Sequence, residues 1–275
     1  GEISMSGDAG ITASEFCPAI TKIREDSTIK ALVLRVNSPG GDAQAAEMIN
    51  HELQLLRETK PIIVSFGDYA ASGGYWISAN SDYIFSNATT LTGSIGVFSM
   101  IPDIGGTLKN KLHVNVTPVN SNEHADMYGM IRPLDNKEVA YMQASVEKIY
   151  DKFTNIVAAG RDMTVEDVDA IAQGRVWTGA EALEIGLVDQ IGTIEDAINY
   201  AATSIDGVTS VNDVQVVAYP KPQTPIEALL ESFGGQGESI FAGTPLEDVE
   251  TAFSGWTEAQ SGKMYARIPY EIIVK

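Results

Sequence analysis

The chain has 275 residues, a net charge of −19 and one cysteine. This length suits one large α/β domain, alone or with a small appendage. The negative charge argues against a nucleic-acid partner, because phosphate binding requires clustered lysine and arginine side chains. Cys17 alone cannot form an intrachain disulfide, and no apolar run approaches the roughly 20 residues that a membrane span needs.

The spacing of apolar residues predicts alternating helices and buried strands. In chain order these are a helix over 11–26, a strand over 31–36, a helix over 43–58, a strand over 61–66, a loop over 67–71, a helix from Ser72, strands over 83–86, 95–100 and 114–118, helices over 136–160 and 164–174, an extended piece over 175–179, and helices over 180–185 and 194–203. Thr12 with Glu15 forms a capping-box pattern, and Gly160 is expected to end its helix.

This alternation is typical of parallel βαβ units and predicts an α/β fold with a parallel sheet. We assign residues 1–203 to one domain and residues 204–275 to a C-terminal extension. Strands are expected in the extension at 214–219 and 264–274. The composition of 220–262, rich in Pro, Gly, Ser and Glu, predicts an irregular segment between them.

Two glycine-rich turns follow two of the predicted strands, so they are expected to open onto one crevice beyond the carboxyl ends of the sheet. The first turn, 37–42, contains Gly40 and Gly41. Paired glycines let the backbone bend sharply, and their N–H groups at a helix start suit an anionic oxygen. An ordinary strand-to-helix turn is the alternative interpretation.

The second turn places Ser72 between small residues at the start of a predicted helix, where an attacked carbonyl could approach it. The Gly73 N–H could join Gly40 or Gly41 in holding a tetrahedral oxyanion. The alternative is a serine that only caps the helix. The two turns together favour an acyl-transfer site.

A serine nucleophile needs a general base, and the spacing of residues does not identify one. His51 and His113 have no context that suggests catalysis, whereas His124 lies in a polar loop and could complete a Ser-His-Asp arrangement. No lysine is expected in an apolar, buried context. The lysines predicted to be exposed to solvent are Lys109, Lys111, Lys137 and Lys148.

Several longer motifs resemble the bacterial signal peptide peptidase A (protease IV) family. They read VNSPGG at 36–41, AASGGYWI at 70–77, TLTGSIGV at 90–97, GRVWTG at 174–179 and GLVD at 186–189. The resemblance covers about residues 1–203. It implies a fold of the ClpP/crotonase type with repeated ββα units, and a Ser/Lys dyad protease that degrades cleaved signal peptides.

The resemblance also implies roles for particular residues. Ser72 corresponds to the nucleophile, and Gly40, Gly41 and Gly73 correspond to the backbone region of the oxyanion hole. Ser94 corresponds to a serine that helps to orient the lysine amine. No metal or cofactor is implied. Apolar, extended peptides are the expected substrates, self-association is expected, and the family acts at the extracytoplasmic side of the bacterial membrane.

The chain departs from the family pattern at Ala125, where short members of the family carry the base lysine. Long members are tandem duplications in which the first half supplies the lysine and the second half supplies the serine. We therefore expect this chain to be such a second half, soluble as a fragment and inactive without its N-terminal half. An engineered Lys→Ala change in a short member is the less favoured explanation, because the surrounding loop 120–126 also differs.

The sequence is compatible with three rival interpretations. A crotonase-type acyl-CoA enzyme would need the oxyanion hole but no serine in this setting. A non-catalytic scaffold domain would need no base. A Ser/His protease would use Ser72 with His124.

Overall fold

The computed structural model describes residues 1–7 and 10–219, and the backbone of residues 264–267. The helices of this part are α1 (Ala13–Glu25), α2 (Ala43–Arg57), α3 (Gly73–Trp76), α4 (Gly105–Asn110), α5 (Asn136–Arg161), α6 (Val165–Ile171), α7 (Gly179–Glu184) and α8 (Ile194–Thr203). The strands are β1 (Ile3–Ser4), β2 (Ile11–Thr12), β3 (Leu32–Ser38), β4 (Gly40–Asp42), β5 (Ile62–Ala71), β6 (Tyr83–Ser86), β7 (Leu91–Gly93), β8 (Phe98–Ser99), β9 (Val176–Thr178), β10 (Gln190–Ile191) and β11 (Met264–Arg267).

The larger sheet is organised around β5. This strand pairs in parallel with β3 along one edge, and with β6 and then β7 along the other. β10 adds in parallel to β6, and β9 adds antiparallel to β7. The predicted α/β class with parallel strands is therefore confirmed. The carboxyl ends of β3, β5 and β7 lie at the same edge of the sheet, where open α/β sheets bind their ligands.

The smaller sheet has the strand order β2-β1-β4-β11-β8. β1 pairs in parallel with β2 and β4, whereas β11 pairs antiparallel with both β4 and β8. β4 contains the two glycines of the first turn and leads directly into α2. This sheet therefore brings a strand from the end of the chain next to the first glycine-rich turn.

Large aromatic side chains fill the core around β5 and α3. Phe66, Tyr75 and Trp76 are each at most 1% exposed, and the Trp76 ring stacks on Phe153 with 4.5 Å between the ring centroids. Aromatic side chains of this size dominate the hydrophobic contribution to stability. The short helix α3 is therefore anchored in the core, and Ser72 stands at its start.

Most helix predictions are confirmed, and α8 has the predicted bounds. The expectation that Gly160 ends α5 is wrong, because the helix continues to Arg161 and Asp162 caps it with a left-handed φ of 54°. A glycine at 160 is needed for another reason. A β-carbon there would lie 2.1 Å from the carbonyl oxygen of Ala79.

The capping box predicted for α1 does not form. Thr12 is the N-cap residue, but no side-chain capping hydrogen bond is made there. Its hydroxyl instead donates to the carboxylate of Glu15 at 3.2 Å. Ile11 and Thr12 belong to β2, so the helix begins only at Ala13.

Several strand predictions are corrected by the pairing. The loop expected over 67–71 is the second half of β5, because that half pairs with β7 and with the end of β3. The strand expected over 95–100 is limited to Phe98–Ser99. The extended piece over 175–179 contains β9, as predicted.

The strands expected over 114–118 and 214–219 are absent from the described chain. Residues 114–118 are exposed, and within the described ranges neither segment pairs with another strand. β-branched residues favour a sheet only where a neighbouring strand is available to them. Of the strand predicted over 264–274, the first four residues form β11, while 268–274 and the irregular segment 220–262 lie outside the described residues.

The described chain separates into two compact units. One contains residues 1–99, 134–215 and 264–267, and the other contains residues 100–133 and 216–219. Both glycine-rich turns and Ser94 belong to the first unit, whereas His124 and Ala125 belong to the second. The division of the chain at residue 203 stays a prediction.

Across residues 1–7 and 10–219, no helix combines the length and the apolar character that crossing a membrane requires.

Candidate active site

Ser72 occupies a strained turn between β5 and α3. Its φ of 53° and ψ of −117° lie outside the regions that L-residues normally adopt. A conformation of this kind costs about 1–3 kcal/mol and persists only where neighbouring structure enforces it. Here the Ser72 N–H donates to the Gly93 carbonyl at 2.8 Å, and the Ser72 carbonyl accepts from the Trp76 N–H at 2.8 Å. The backbone on both sides therefore fixes the direction of the side chain.

The hydroxyl of Ser72 is buried without a partner. The residue is 0% exposed, and its Oγ makes no hydrogen bond to any described residue. A buried hydroxyl normally finds a partner, because leaving it without one costs about 1–3 kcal/mol. Strain and an unused hydroxyl at one residue are typical of a catalytic group.

The two glycine-rich turns lie side by side, as the sequence predicts. Ser38 at the end of β3 is the register partner of Ala70 in β5. A β-carbon on Gly74 would lie 2.7 Å from the Ser38 carbonyl oxygen, so this glycine is required for the close approach of the two turns. Gly41 is required as well, because its φ is 155° and a β-carbon would lie 2.0 Å from the Ile3 carbonyl oxygen.

The backbone amides near Ser72 could stabilise an oxyanion. Gly73 is the first residue of α3, and the N–H groups of a helix start have no acceptor within the helix. The Gly40 N–H donates to the Ser38 Oγ at 3.2 Å. Of these amides, Gly73 is therefore the one fixed directly beside Ser72, while Gly40 would have to exchange a long hydrogen bond to serve an oxyanion.

Ser94 lies at the corresponding position on the neighbouring strand. It follows β7 directly, is 2% exposed and has a φ of 47°. Its N–H donates to the Arg175 carbonyl at 2.7 Å, which fixes the turn from the side of β9. The structure thus brings Ser94 next to the turn that carries Ser72.

Lys60 corrects the expectation that no lysine is buried. It is 8% exposed, and its ammonium donates to the carbonyl oxygens of Ile23 and Asp26 at the end of α1. Burial lowers the pKa of this amine, which is a property that a base lysine needs. It nevertheless precedes β5 whereas Ser72 follows it, and a ten-residue strand separates the two by about 30 Å. Lys60 therefore cannot serve as the base.

The other lysines and histidines considered are largely solvated. Lys109, Lys111, Lys137, Lys148, His51 and His113 are exposed, in agreement with their sequence context. His124 is half-buried in the second unit, with its Nε2 3.8 Å from the Glu123 carboxylate. Within the described residues, neither an amine nor an imidazole is hydrogen-bonded to the Ser72 hydroxyl.

β11 lies beside the first glycine-rich turn. Ala266 and Arg267 are the register partners of Gly41 and Gly40, and the strand also contacts α3. β11 is thus an extended segment that runs antiparallel to β4 and lies beside the first glycine-rich turn.

The family of the chain follows from a comparison of its sequence with known proteins. Residues 54–207, more than half of the chain, match the model of peptidase family S49. The chain belongs to peptidase family S49.

The family that the sequence motifs indicate is therefore confirmed. Two family relatives are named Protease 4, one from Haemophilus influenzae, 42% identical over 72% of this chain, and one from Salmonella typhi, 39% identical over 84%. A third is named Serine protease SPPA, chloroplastic, from Arabidopsis thaliana, 35% identical over 85%. The alignments cover 32%, 36% and 34% of these relatives, so the chain spans about a third of their length.

Among solved structures, the S49 chain is similar to a mutant of ClpP1 from Listeria monocytogenes. The TM-score is 0.46 and the sequence identity is 14%, over 67% of this chain and 86% of that one. The α/β class with parallel strands rests on the strand pairing described above rather than on this distant similarity.

Sequence reasoning missed two groups that support the S49 site. The Asn37 side-chain oxygen accepts the N–H groups of Asp68 and Tyr69, both at 3.0 Å, and so ties the first turn to the second half of β5. Glu47 accepts the indole N–H of Trp76 at 3.1 Å. The position of Asn37 at the start of the first glycine-rich turn is a sequence signal for its contacts with β5. The spacing of residues along the chain gives no indication of the contact between Glu47 and Trp76.

Proposed function

We propose that this chain carries the nucleophile and the oxyanion hole of a serine endopeptidase. The observation that carries the proposal is the Ser72 hydroxyl, which is buried, held on a strained turn and free of hydrogen bonds to the described residues. A serine on a strained strand-to-helix turn is the arrangement by which α/β hydrolases present a nucleophile. Membership of the S49 family and relatives named as proteases support it.

The general base is a lysine supplied by another part of the protein, its N-terminal half. Two observations support this assignment: the described residues place no base on Ser72, and Lys60 is engaged at the far end of β5. The resemblance to the family adds that Ala125 stands where short members are expected to carry the lysine. An amine held against Ser72 and Ser94 would be removed from water. Its pKa would fall, so that it would be neutral and able to accept a proton.

The reaction then follows from the groups in place. The neutral amine accepts the Ser72 proton as Oγ attacks the peptide carbonyl, and the carbonyl oxygen becomes an oxyanion. The Gly73 amide, with Gly40 or Gly41, donates hydrogen bonds to it, each worth about 3 kcal/mol of transition-state stabilisation. The protonated amine transfers its proton to the leaving nitrogen, and water later releases the acyl group from Ser72. This scheme needs no metal or cofactor.

The substrates are extended, apolar peptides such as cleaved signal peptides. The position of β11 supports this substrate class, because an extended segment pairs antiparallel with β4 against Gly40 and Gly41, and a substrate peptide would take the place that β11 occupies between β4 and β8. A peptide that adds to a sheet edge is held by its backbone and presents alternate side chains. We place the whole protein at the extracytoplasmic face of a bacterial membrane, and we expect it to self-associate.

A fluorophosphonate serine probe tests the proposal. The chain would be treated alone and after co-expression with the upstream part of its gene, with Ser72→Ala as the control. Labelling of Ser72 only in the presence of the upstream part supports the divided site. Labelling of the isolated chain would place the base within it, and an absence of labelling in both samples would favour a non-catalytic scaffold.

His124 is the second candidate for the base, and its Nε2 lies 3.8 Å from the Glu123 carboxylate. If the isolated chain is labelled, His124→Ala would remove the labelling under this alternative. Retained labelling would exclude it.

A further inference from the structure

We infer that Glu47 is a positioning residue for the Ser72 nucleophile and acts through Trp76. The inference rests on the proposed function, since it assumes that Ser72 reacts. The contacts that lead to it join α2, which begins at the first glycine-rich turn, to α3, which begins at Ser72.

The helix that starts at Ser72 depends on its surroundings. α3 contains only the four residues Gly73–Trp76, and one helical turn is unstable by itself. Trp76 is the last residue of this turn, and its N–H donates to the Ser72 carbonyl at 2.8 Å. The orientation of the Ser72 backbone, and of the adjacent Gly73 amide, therefore depends on how Trp76 is held.

The Trp76 side chain is buried in the core, where its ring stacks on one neighbour and its indole N–H makes one hydrogen bond. The ring lies 4.5 Å from that of Phe153, with 29° between the ring planes. The indole N–H donates to Glu47 Oε2 at 3.1 Å and adds a directional constraint to this packing, because a hydrogen bond has a preferred direction.

Glu47 is itself held by further donors. Its Oε1 lies 2.6 Å from the Lys152 ammonium on α5, and its Oε2 lies 3.5 Å from the Asn50 amide nitrogen on α2. The Glu47 side chain is 29% exposed and that of Lys152 is 52% exposed, so solvent screens the ion pair more than the indole contact. The hydrogen bond to Trp76 is thus the contact through which Glu47 acts on the site.

This connection sets the distance between the two halves of the oxyanion hole. Asp42 ends the first glycine-rich turn and caps α2, with its carboxylate accepting the Ala45 N–H at 2.8 Å. Glu47 lies one turn further along the same helix and reaches α3. A displacement of α3 relative to α2 would therefore move Ser72 and Gly73 away from Gly40 and Gly41, and misplacement of about 1 Å can lower a rate 100-fold.

The test compares four variants in the full protein, under conditions in which the wild-type Ser72 reacts with a fluorophosphonate. Glu47→Met removes the acceptor, Trp76→Phe removes the donor but keeps the stacking ring, and Glu47→Gln keeps an oxygen acceptor. Lys152→Met is the matched control, because it removes the ion pair and leaves the indole contact. Peptide turnover, labelling rate and melting temperature are measured for each variant.

We expect Glu47→Met and Trp76→Phe each to lower kcat and the labelling rate about tenfold with KM unchanged, and the double variant to lose no more than either single variant. Glu47→Gln and Lys152→Met should stay within about twofold of the wild type, because both retain an acceptor for the indole. If Glu47→Met fails to fold, Trp76→Phe and Glu47→Gln carry the test.

Wild-type rates in Trp76→Phe would overturn the inference. So would equal losses in Glu47→Gln and Lys152→Met, since the effect would then come from the ion pair. If the wild-type Ser72 does not react at all, the proposed function fails and the inference fails with it. These outcomes are distinguishable because the first two require a reactive wild-type serine.

Discussion

Ser72 and Ser94 stand at matching positions one residue beyond the ends of two paired parallel strands. Ala71 in β5 and Gly93 in β7 are register partners, and each serine follows directly with a positive φ, 53° and 47°. The Ser72 N–H donates to the Gly93 carbonyl, so the two turns are joined by a hydrogen bond. This relationship explains why a group that contacts one serine is expected to be within reach of the other.

Replacing Ser94 with alanine should slow the reaction without preventing it. If the Ser94 hydroxyl orients the base amine, Ser94→Ala removes one hydrogen bond and kcat should fall about tenfold, while Ser72 stays reactive. Ser86→Ala is the control, because Ser86 is equally buried but donates to the Asn87 carbonyl at the end of β6. The measurement is the rate of peptide turnover by both variants. Equal rates for Ser94→Ala and Ser86→Ala would show that the Ser94 hydroxyl has no role in the reaction.

Replacing Ser72 with glycine should stabilise the protein while abolishing its reaction. Glycine adopts a positive φ without strain, so the free energy of unfolding should rise by about 1 kcal/mol, even after the larger conformational entropy of glycine in the unfolded chain is subtracted. Asp162→Gly is the comparison, because Asp162 has a φ of 54° in the ordinary left-handed region and should gain less. Urea denaturation gives both values. A loss of stability in Ser72→Gly would show that the turn is not strained.

The first glycine-rich turn should not tolerate a side chain. Gly41→Ala places a β-carbon 2.0 Å from a backbone carbonyl, so we expect a loss of about 3 kcal/mol or more and no labelling of Ser72. Gly106→Ala is the matched control, since Gly106 lies in α4 and a β-carbon there meets nothing within 4 Å. That control should be stabilising by up to about 1 kcal/mol. Normal stability of Gly41→Ala in thermal unfolding would contradict the packing described for β1 and β4.

Lys60→Met should lower stability and leave the reactivity of Ser72 unchanged. The substitution keeps the apolar stem but leaves the carbonyl groups of Ile23 and Asp26 without the ammonium, at a cost of about 1–3 kcal/mol. Fluorophosphonate labelling and a denaturant titration separate the two effects. Loss of labelling in a folded Lys60→Met variant would contradict the exclusion of Lys60 as the general base.

The Asp126–Arg132 pair should make stability in the second unit depend on pH in the acidic range. Hydrogen bonds from the Arg132 side chain hold the pKa of the Asp126 carboxyl at about 2, below its ordinary value. A depressed folded-state pKa means that the stabilisation is present above the unfolded-state pKa of about 4 and is lost as the pH falls towards 2. A carbon-13 NMR titration gives the midpoint of Asp126. Arg132→Met should raise it, and an unchanged midpoint would exclude this cause.

The fold could be predicted from the sequence where an element is long or marked by clear end signals. The sequence predicts α8 and β6 with their bounds, because an amphipathic period or a short apolar run between breakers identifies each one. β1, β2 and β4 have two or three residues each, too few to show a period. Residues 114–118 have strand-like composition, but composition does not reveal whether a neighbouring strand exists.

The candidate site was predictable where local chemistry marks it. Ser72 and its flanking glycines have small neighbours at the end of a strand, which a linear sequence shows directly. The burial of Lys60 was not predictable, because its partners lie 37 and 34 positions earlier, in α1 and at its C-cap. The contact between Glu47 and Trp76 spans 29 positions and joins two different helices, so no local pattern indicates it.

The pairing of β5 on both edges also bears on how the molecule opens. Residues 63–65 pair with β3 and β6 at once, and Ala70 pairs with β3 and β7. Backbone groups bonded on two sides and covered by the core exchange their amide hydrogens only through large-scale opening. Ser72 therefore follows the segment expected to exchange slowest. The strained turn at Ser72 directly follows the part of the chain that local fluctuations disturb least. The Ser72 side chain should therefore keep its orientation even while the chain ends and loops open and close.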